Sequence, residues 1–335
     1  MILLKKYLLP RFFQYIIVLF IGVTLVFIIP RLMPSDPVES QLAQITAQGA
    51  YLDPEAIDQV RATLTELYGL EGSNFEQYIS FWERLFTGNL GPSFSQFPTP
   101  VVKLIAISLP WTIGLVLTAV LISWLIGTLF GGLAVSYPDS FFTKIIEFFA
   151  MGVRPIPYYI MALTLVIIFS YFLPIFPMAG GYSMGADMGF NLEFTLDLLR
   201  HAFLPILSLV LVGIGNWFLQ MRNVASNVVE EDYVIYAEAA GLPKRKIIFS
   251  YIMRNAIMPQ ITGLALNLGF IFGGALITEI VFSYPGIGTL LYTAINAGDY
   301  NLIMGITIFS IVGVSTAMLA IDLIYPLIDP RVRYE

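Results

Sequence analysis

Residues 232–259 read DYVIYAEAAGLPKRKIIFSYIMRNAIMP, a polar-rich stretch set between long apolar runs. Its punctuation predicts order. Asp232 is placed to cap a helix, with Glu230 and Glu231 near the positive end. Tyr233, Tyr236, Ala237 and Ala240 follow i, i+3, i+4, i+7 and would share a face. Gly241 suits the left-handed conformation that closes a helix, and Pro243 suits the first turn of the next one. That second helix would align Ile247, Ile248, Tyr251, Ile252 and Asn255, with Pro259 marking the start of a further apolar run. The stretch therefore reads as a short helix, an elbow at Gly241-Leu242-Pro243, and a longer helix. Reversing the chain needs only a few residues, so an ordered insert of this length points to a docking element. The alternative is an amphipathic helix on lipid, with Lys244, Arg245 and Lys246 near anionic headgroups.

The flanking runs decide the fold class. The chain has 335 residues, of which 57% are hydrophobic and 12% charged. Soluble domains carry about 25% charged residues, so this chain cannot cover a soluble globule with polar side chains. An all-α integral membrane protein follows. With no cysteine, disulfides and thiolate chemistry are excluded, and a single histidine, His201, makes a histidine metal site improbable on count.

Six spans are predicted: about Phe12–Pro30, within Leu104–Tyr137, about Met151–Pro174, about Phe203–Met221, about Pro259–Val281 and about Leu302–Tyr325. The first is too long for a signal-peptide core and reads as an uncleaved helix. Gly127 with Gly131, and Gly269 with Gly273, form GxxxG pairs that suit close helix packing. Residues 32–102 form a separate region after the first span (1–31). Residues 103–335 make the main membrane body, with the insert at 226–258. In the 32–102 region Asp53, Pro54 and Gly69 bracket one amphipathic helix. A second carries Tyr78, Ile79, Trp82, Leu85 and Phe86 on one face and ends at Gly88.

Charge sets the sidedness. Lys5, Lys6, Arg11, Lys144, Arg222, Lys244, Arg245, Lys246, Arg254, Arg331 and Arg333 fall on one side, and Arg154 fits there too. Residues 32–100 hold nine acids against Arg61 and Arg84. The positive-inside rule puts both termini and the insert in the cytoplasm and the 32–102 region outside.

The insert resembles the cytoplasmic signature loop of binding-protein-dependent ABC importer permeases, and is most similar to the dipeptide/oligopeptide/nickel branch. RLMPSDP after the first span, YGLEGSNFEQYISFWERLFTGNLGPSF, FSYPGIGTLLYTAINAGDY and IDLIYPLIDPRVRY match that branch in order, so the likeness covers nearly the whole chain. The letters Glu238-Ala239-Ala240 are out of register: the family's Glu-Ala-Ala, counted back from Gly241, falls on Ile235, Tyr236 and Ala237. The branch often has basic residues at Glu238 and Ala240 and a histidine at Tyr251, and these departures bear on pairing with a particular ATPase.

The resemblance implies a type I importer permease fold of six transmembrane helices in the prokaryotic plasma membrane. It implies a second homologous permease subunit, two cytoplasmic ATPase subunits and an extracytoplasmic binding protein landing on the acidic outer region. Asp232, Tyr233, Tyr236, Ala237, Glu238, Ala240, Gly241, Leu242 and Pro243 would then form the coupling segment seated on an ATPase. This chain has no GxxxxGK[ST] loop and no enzymatic constellation. ATP and Mg would be used by the partners, and this chain is expected to bind no cofactor, metal or nucleic acid. Peptides are the expected cargo, with oligosaccharides or nickel chelates as alternatives. Glu279, Asn216 and Asn267 are candidates for the path or its gate. Asp322 reads as a structural partner near Arg331 and Arg333, and His201 as an interfacial residue. An ion-coupled transporter is the competing class, but it calls for paired charges at mid-membrane, where these spans are nearly charge-free. A membrane scaffold without transport is the third reading.

Overall fold

The apolar runs fold into long helices in a computed structural model that describes residues 9–32, 37–47, 53–187, 189 and 191–328. Lys5, Lys6, Arg331 and Arg333, and residues 33–36 of the RLMPSDP motif, lie outside the described residues. The architecture is all-α. Among the described residues five helices are long and apolar enough to cross a membrane, or six if one sharply bent pair counts as a single span. The chain divides into two compact units.

One unit comprises the chain up to Pro110 together with Gly286–Leu319. Its helices are α1 (Leu9–Leu32), α2 (Pro37–Ala47), α3 (Pro54–Tyr68), α4 (Asn74–Phe86), the start of α5 (Val101–Ser136), α12 (Ile287–Asn296) and most of α13 (Tyr300–Ile328). The predicted punctuation of α3 holds. The Asp53 carboxylate accepts from the Ala56 N–H at 2.7 Å, and Gly69 closes the helix at φ +64°. In α4, Ser73 and Glu76 satisfy each other's backbone N–H groups in a capping box. The buried face of α4 is rotated from the predicted one. Tyr78, Trp82 and Leu85 turn inward with Phe81, whereas Ile79 and Phe86 are exposed. Gln77 explains the rotation: it is buried, accepts from Arg31 and donates to the Leu70 carbonyl, so the polar bonds set the helix azimuth. The Tyr78 hydroxyl lies 2.8 Å from the Thr24 hydroxyl of α1, and Trp82 stacks on Phe20.

Asp299 is the polar centre of this unit. It is fully buried. Its Oδ2 accepts from the Ser93 hydroxyl at 2.6 Å, the Phe94 N–H at 2.8 Å, the Ser95 N–H at 3.0 Å and the Ser95 hydroxyl at 2.9 Å. Its Oδ1 accepts from the Leu302 N–H at 3.1 Å and so caps α13. One carboxylate thereby ties the segment before α5 to the start of α13.

The other unit comprises Trp111–Pro285 and the chain from Ala320 on. It contains the rest of α5, α6 (Phe141–Val153), α7 (Tyr158–Phe172), α8 (Leu192–Val229), α9 (Asp232–Ala239), α10 (Lys244–Gly273) and α11 (Leu276–Val281). Two predicted spans are corrected. The third is a pair: α6 and α7 meet at a 104° bend, because Pro155 and Pro157 cannot continue a helix. The fifth begins at Lys244 and runs through Pro259, after wider π turns over Ile247–Met253. It stops at Gly273, because Gly274 takes φ +72° and ψ 178°, a conformation only glycine adopts readily.

The first GxxxG pair makes the close contact it predicts. A Cβ on Gly127 would lie 2.5 Å from the Trp217 Cβ, and one on Gly131 would lie 2.4 Å from the Phe218 carbonyl oxygen of α8. In the second pair Gly269 is buried, whereas a Cβ on Gly273 would meet nothing within 4 Å. His201 is buried, with Nδ1 2.9 Å from the Asp197 carbonyl oxygen. Asp322 is half-buried on α13.

Candidate functional site

The insert folds as α9, an elbow and α10, with differences that matter. Asp232 is the first helical residue and does not cap. Glu231 holds the cap position without a side-chain bond. Three acids in sequence still favour the positive end. The predicted face of Tyr233, Tyr236, Ala237 and Ala240 splits. Val234 and Ala237 are the buried pair, packed with Met221 and Ala225 of α8 and Ile247, Ile252 and Ala256 of α10. Tyr233, Ile235, Tyr236, Glu238 and Ala240 are exposed, Tyr236 at 72%. An eight-residue helix has room for one short buried stripe. Valine and alanine fill it because small side chains allow close approach to α8.

The elbow closes by two hydrogen bonds. The Gly241 N–H donates to the Glu238 carbonyl at 2.9 Å and the Leu242 N–H to the Ala237 carbonyl at 3.2 Å, with Gly241 at φ +72°. This is the Schellman pattern, and half-buried Leu242 supplies its apolar contact. Pro243, at φ −61°, starts α10. Lys244 lies 4.3 Å above the Tyr137 ring at the end of α5, while Arg245 and Lys246 are exposed. The segment thus has one face fixed to its own unit and another, with two tyrosines, an isoleucine and a glutamate, turned outward.

The same unit holds a cavity of about 710 Å³ between α5, α7, α8, α10 and α11. Asn216 and Asn267 both line it, so the structure brings these two predicted residues together. Asn216 Oδ1 accepts from Arg154 Nε at 2.9 Å, and Asn267 Nδ2 donates to the Gly263 carbonyl at 2.9 Å. Ser123, Tyr158, Tyr159, Trp217 and Gln220 contribute further polar or aromatic surface. Among the described residues, no Asp, Glu, Lys or Arg lines the cavity.

Glu279, the third candidate for the path or its gate, does not line that cavity. It is fully buried on α11, and its Oε1 accepts from the Thr112 hydroxyl at 2.8 Å. Its neighbours Ile277 and Thr278 line the cavity instead. On so short a helix, turning Thr278 toward the cavity turns the next residue into the protein. The Arg154–Asn216 bond and the half-buried Arg222–Glu147 ion pair between α8 and α6 have no mark in the sequence. Both join residues more than sixty positions apart, and no local pattern signals them.

Comparison with known proteins agrees with this architecture. Residues 125–334 match the family described as binding-protein-dependent transport system inner membrane component. The oligopeptide transport system permease protein AppB of Bacillus subtilis is 29% identical over 316 residues, covering 94% of this chain and 95% of the relative. The probable D,D-dipeptide transport system permease protein DdpB of Escherichia coli is 30% identical, covering 91% of each chain. OppB of Haemophilus influenzae, an oligopeptide transport system permease protein, is 30% identical over 98% of this chain and 99% of its own. Through a family match over most of its length and relatives similar from end to end, the chain belongs to the binding-protein-dependent inner membrane components, the permease subunits of ABC importers.

Proposed function

We propose that this chain forms half of the translocation path of an ATP-driven importer whose cargo is di- or oligopeptides. The observation that carries the cargo is the shared description of relatives aligned along nearly the whole chain, each named for peptide, dipeptide or oligopeptide transport. The neutral, amide-bearing cavity wall supports it, because a peptide backbone also offers uncharged donors and acceptors. Residues 103–335 act as the permease core and 32–102 as an extracytoplasmic region that receives a binding protein. A second permease completes the path.

Two cytoplasmic ATPases supply the energy, with ATP and Mg bound there. The segment from Asp232 to Pro243 couples them to the spans. Its outward face, Tyr233, Tyr236 and Glu238, contacts an ATPase. Ala237, Leu242 and the Gly241 closure fix it to α8 and α10, so a push on α9 acts on both long helices. This orientation puts both termini in the cytoplasm, on the charge bias of the sequence.

The test is reconstitution of the chain with its partner subunits in vesicles. ATP-dependent accumulation of labelled peptide, requiring the binding protein, is the expected result. Accumulation of an oligosaccharide or nickel chelate in place of peptide would move the cargo to that class. Uptake driven by an ion gradient without ATP would overturn the reading.

A further inference from the structure

Among the described residues the cavity wall is uncharged, and the exposed Arg154, which does not itself line it, is tied to it through Asn216. Arg154 ends α6 at the 104° bend, and the chain then enters the cavity wall at Pro157, Tyr158 and Tyr159. Its place is fixed from two sides. Gly215 of α8 leaves room for it: a Cβ there would lie 3.2 Å from the Arg154 Cβ and 2.6 Å from the Ala150 carbonyl oxygen. Arg154 Nε donates to Asn216 Oδ1 at 2.9 Å, and Asn216 lines the cavity. A guanidinium has five N–H donors in a planar fork. The one at Nε is taken by Asn216, and among the described residues the others make no hydrogen bond and Arg154 has no carboxylate partner. Glu147, on the same helix, is already paired with Arg222.

We propose that Arg154, held by Asn216, is a specificity-determining residue that receives a carboxylate of the cargo. On the peptide reading above, on which this rests, that group is the free C-terminal carboxylate. A planar carboxylate matches the remaining N–H fork in a bidentate way. The rest of the peptide meets only neutral partners. The Gln220 amide and the Tyr158 and Tyr159 hydroxyls make no hydrogen bond to any described residue, so they can pair with backbone amides whatever the side chains. Apolar Val116, Val120 and Leu209 give side chains unspecific room. The arrangement reads one end of a peptide and ignores its sequence.

The experiment uses the whole reconstituted complex and one tripeptide of uncharged side chains in two forms, with a free and with an amidated C-terminus. Binding protein is saturated with each form, so its own preference drops out. The expected result is uptake of the free form at least about tenfold faster than the amidated form, the worth of a charge-assisted hydrogen bond pair. R154Q removes the charge, and N216D keeps the contact but occupies the guanidinium with a carboxylate of the protein. Both are expected to bring the ratio of the two forms close to one. An amidated peptide bearing one glutamate separates the two carboxylate sources: slow uptake assigns the site to the terminus, as proposed, and fast uptake overturns that assignment. A wild-type ratio near one, or a ratio unchanged in both variants, would overturn the proposal. If the wild-type complex imports neither form, the peptide reading itself fails, and the proposal with it.

Discussion

Asp299 and helix α9 hold chain in place by opposite means. At Asp299 five hydrogen bonds converge on one buried carboxylate, so the Ser93–Ser95 segment has a single geometry. At α9 the attachment is Val234 and Ala237 in an apolar pocket and a two-bond Schellman closure at Gly241. Charged hydrogen bonds are directional and costly to leave unmade, whereas apolar contacts tolerate small sliding. Asp299 makes a fixed clamp, whereas α9, proposed above as the coupling lever, has a shape set by one glycine and an apolar seat.

Breaking the clamp gives the largest expected loss. Asp299→Ala orphans five donors, and thermal unfolding of the purified protein should show a destabilisation of about 3–5 kcal/mol. Asp299→Asn should recover part of it, since an amide oxygen still accepts. Unfolding at the wild-type temperature would mean the clamp is no more rigid than the lever.

The next effect concerns the body on which the lever rides. Gly131→Ala puts a Cβ 2.4 Å from the Phe218 carbonyl oxygen, a backbone atom that cannot step aside. It should force α5 from α8 at about 1–3 kcal/mol, read in the same unfolding measurement. At Gly241, by contrast, a Cβ meets nothing within 4 Å, and only the φ of +72° opposes a side chain. Gly241→Ala should cost about 1–2 kcal/mol locally. Uptake should fall while the global unfolding temperature barely moves. A large global shift would make α9 part of the core.

The smallest effect is electrostatic. The backbone and hydroxyl bonds from Ser73 hold the exposed Glu76 carboxyl below its usual range. A lowered folded-state pKa means this capping contribution is present above the ordinary carboxylate pKa. It is lost as pH falls through the lowered one. Helicity of α4, followed by hydrogen exchange at its first turn, should weaken only in that acidic window, and Glu76→Gln should abolish the pH dependence.

Much of this was legible in the chain. Composition and run length gave the membrane class. Gly69, Gly241 and Pro54 gave helix ends, because a left-handed glycine or an N-terminal proline leaves a local mark. The Asp299 clamp was not legible, because its partners at Ser93–Ser95 lie over two hundred residues away. The sequence put Ala237 on one face of α9 with Tyr233, Tyr236 and Ala240; the structure buries it beside Val234 and leaves the tyrosines exposed, because packing against α8 prefers the smaller side chains. Glu279, a charge near a span end, suggests exposure in the sequence, and only the fold shows Thr112 across from it.

If α9 couples the ATPases to the spans, as proposed, the ratio of ATP hydrolysed to peptide imported reports that coupling. In reconstituted complexes, Tyr236→Asp alters only the exposed face and Gly241→Pro demands a φ that proline cannot reach. Both variants should assemble, and Tyr236→Asp should raise the ratio at least several-fold. Gly241→Pro should abolish import while ATP is still hydrolysed. A wild-type ratio in both variants would contradict it.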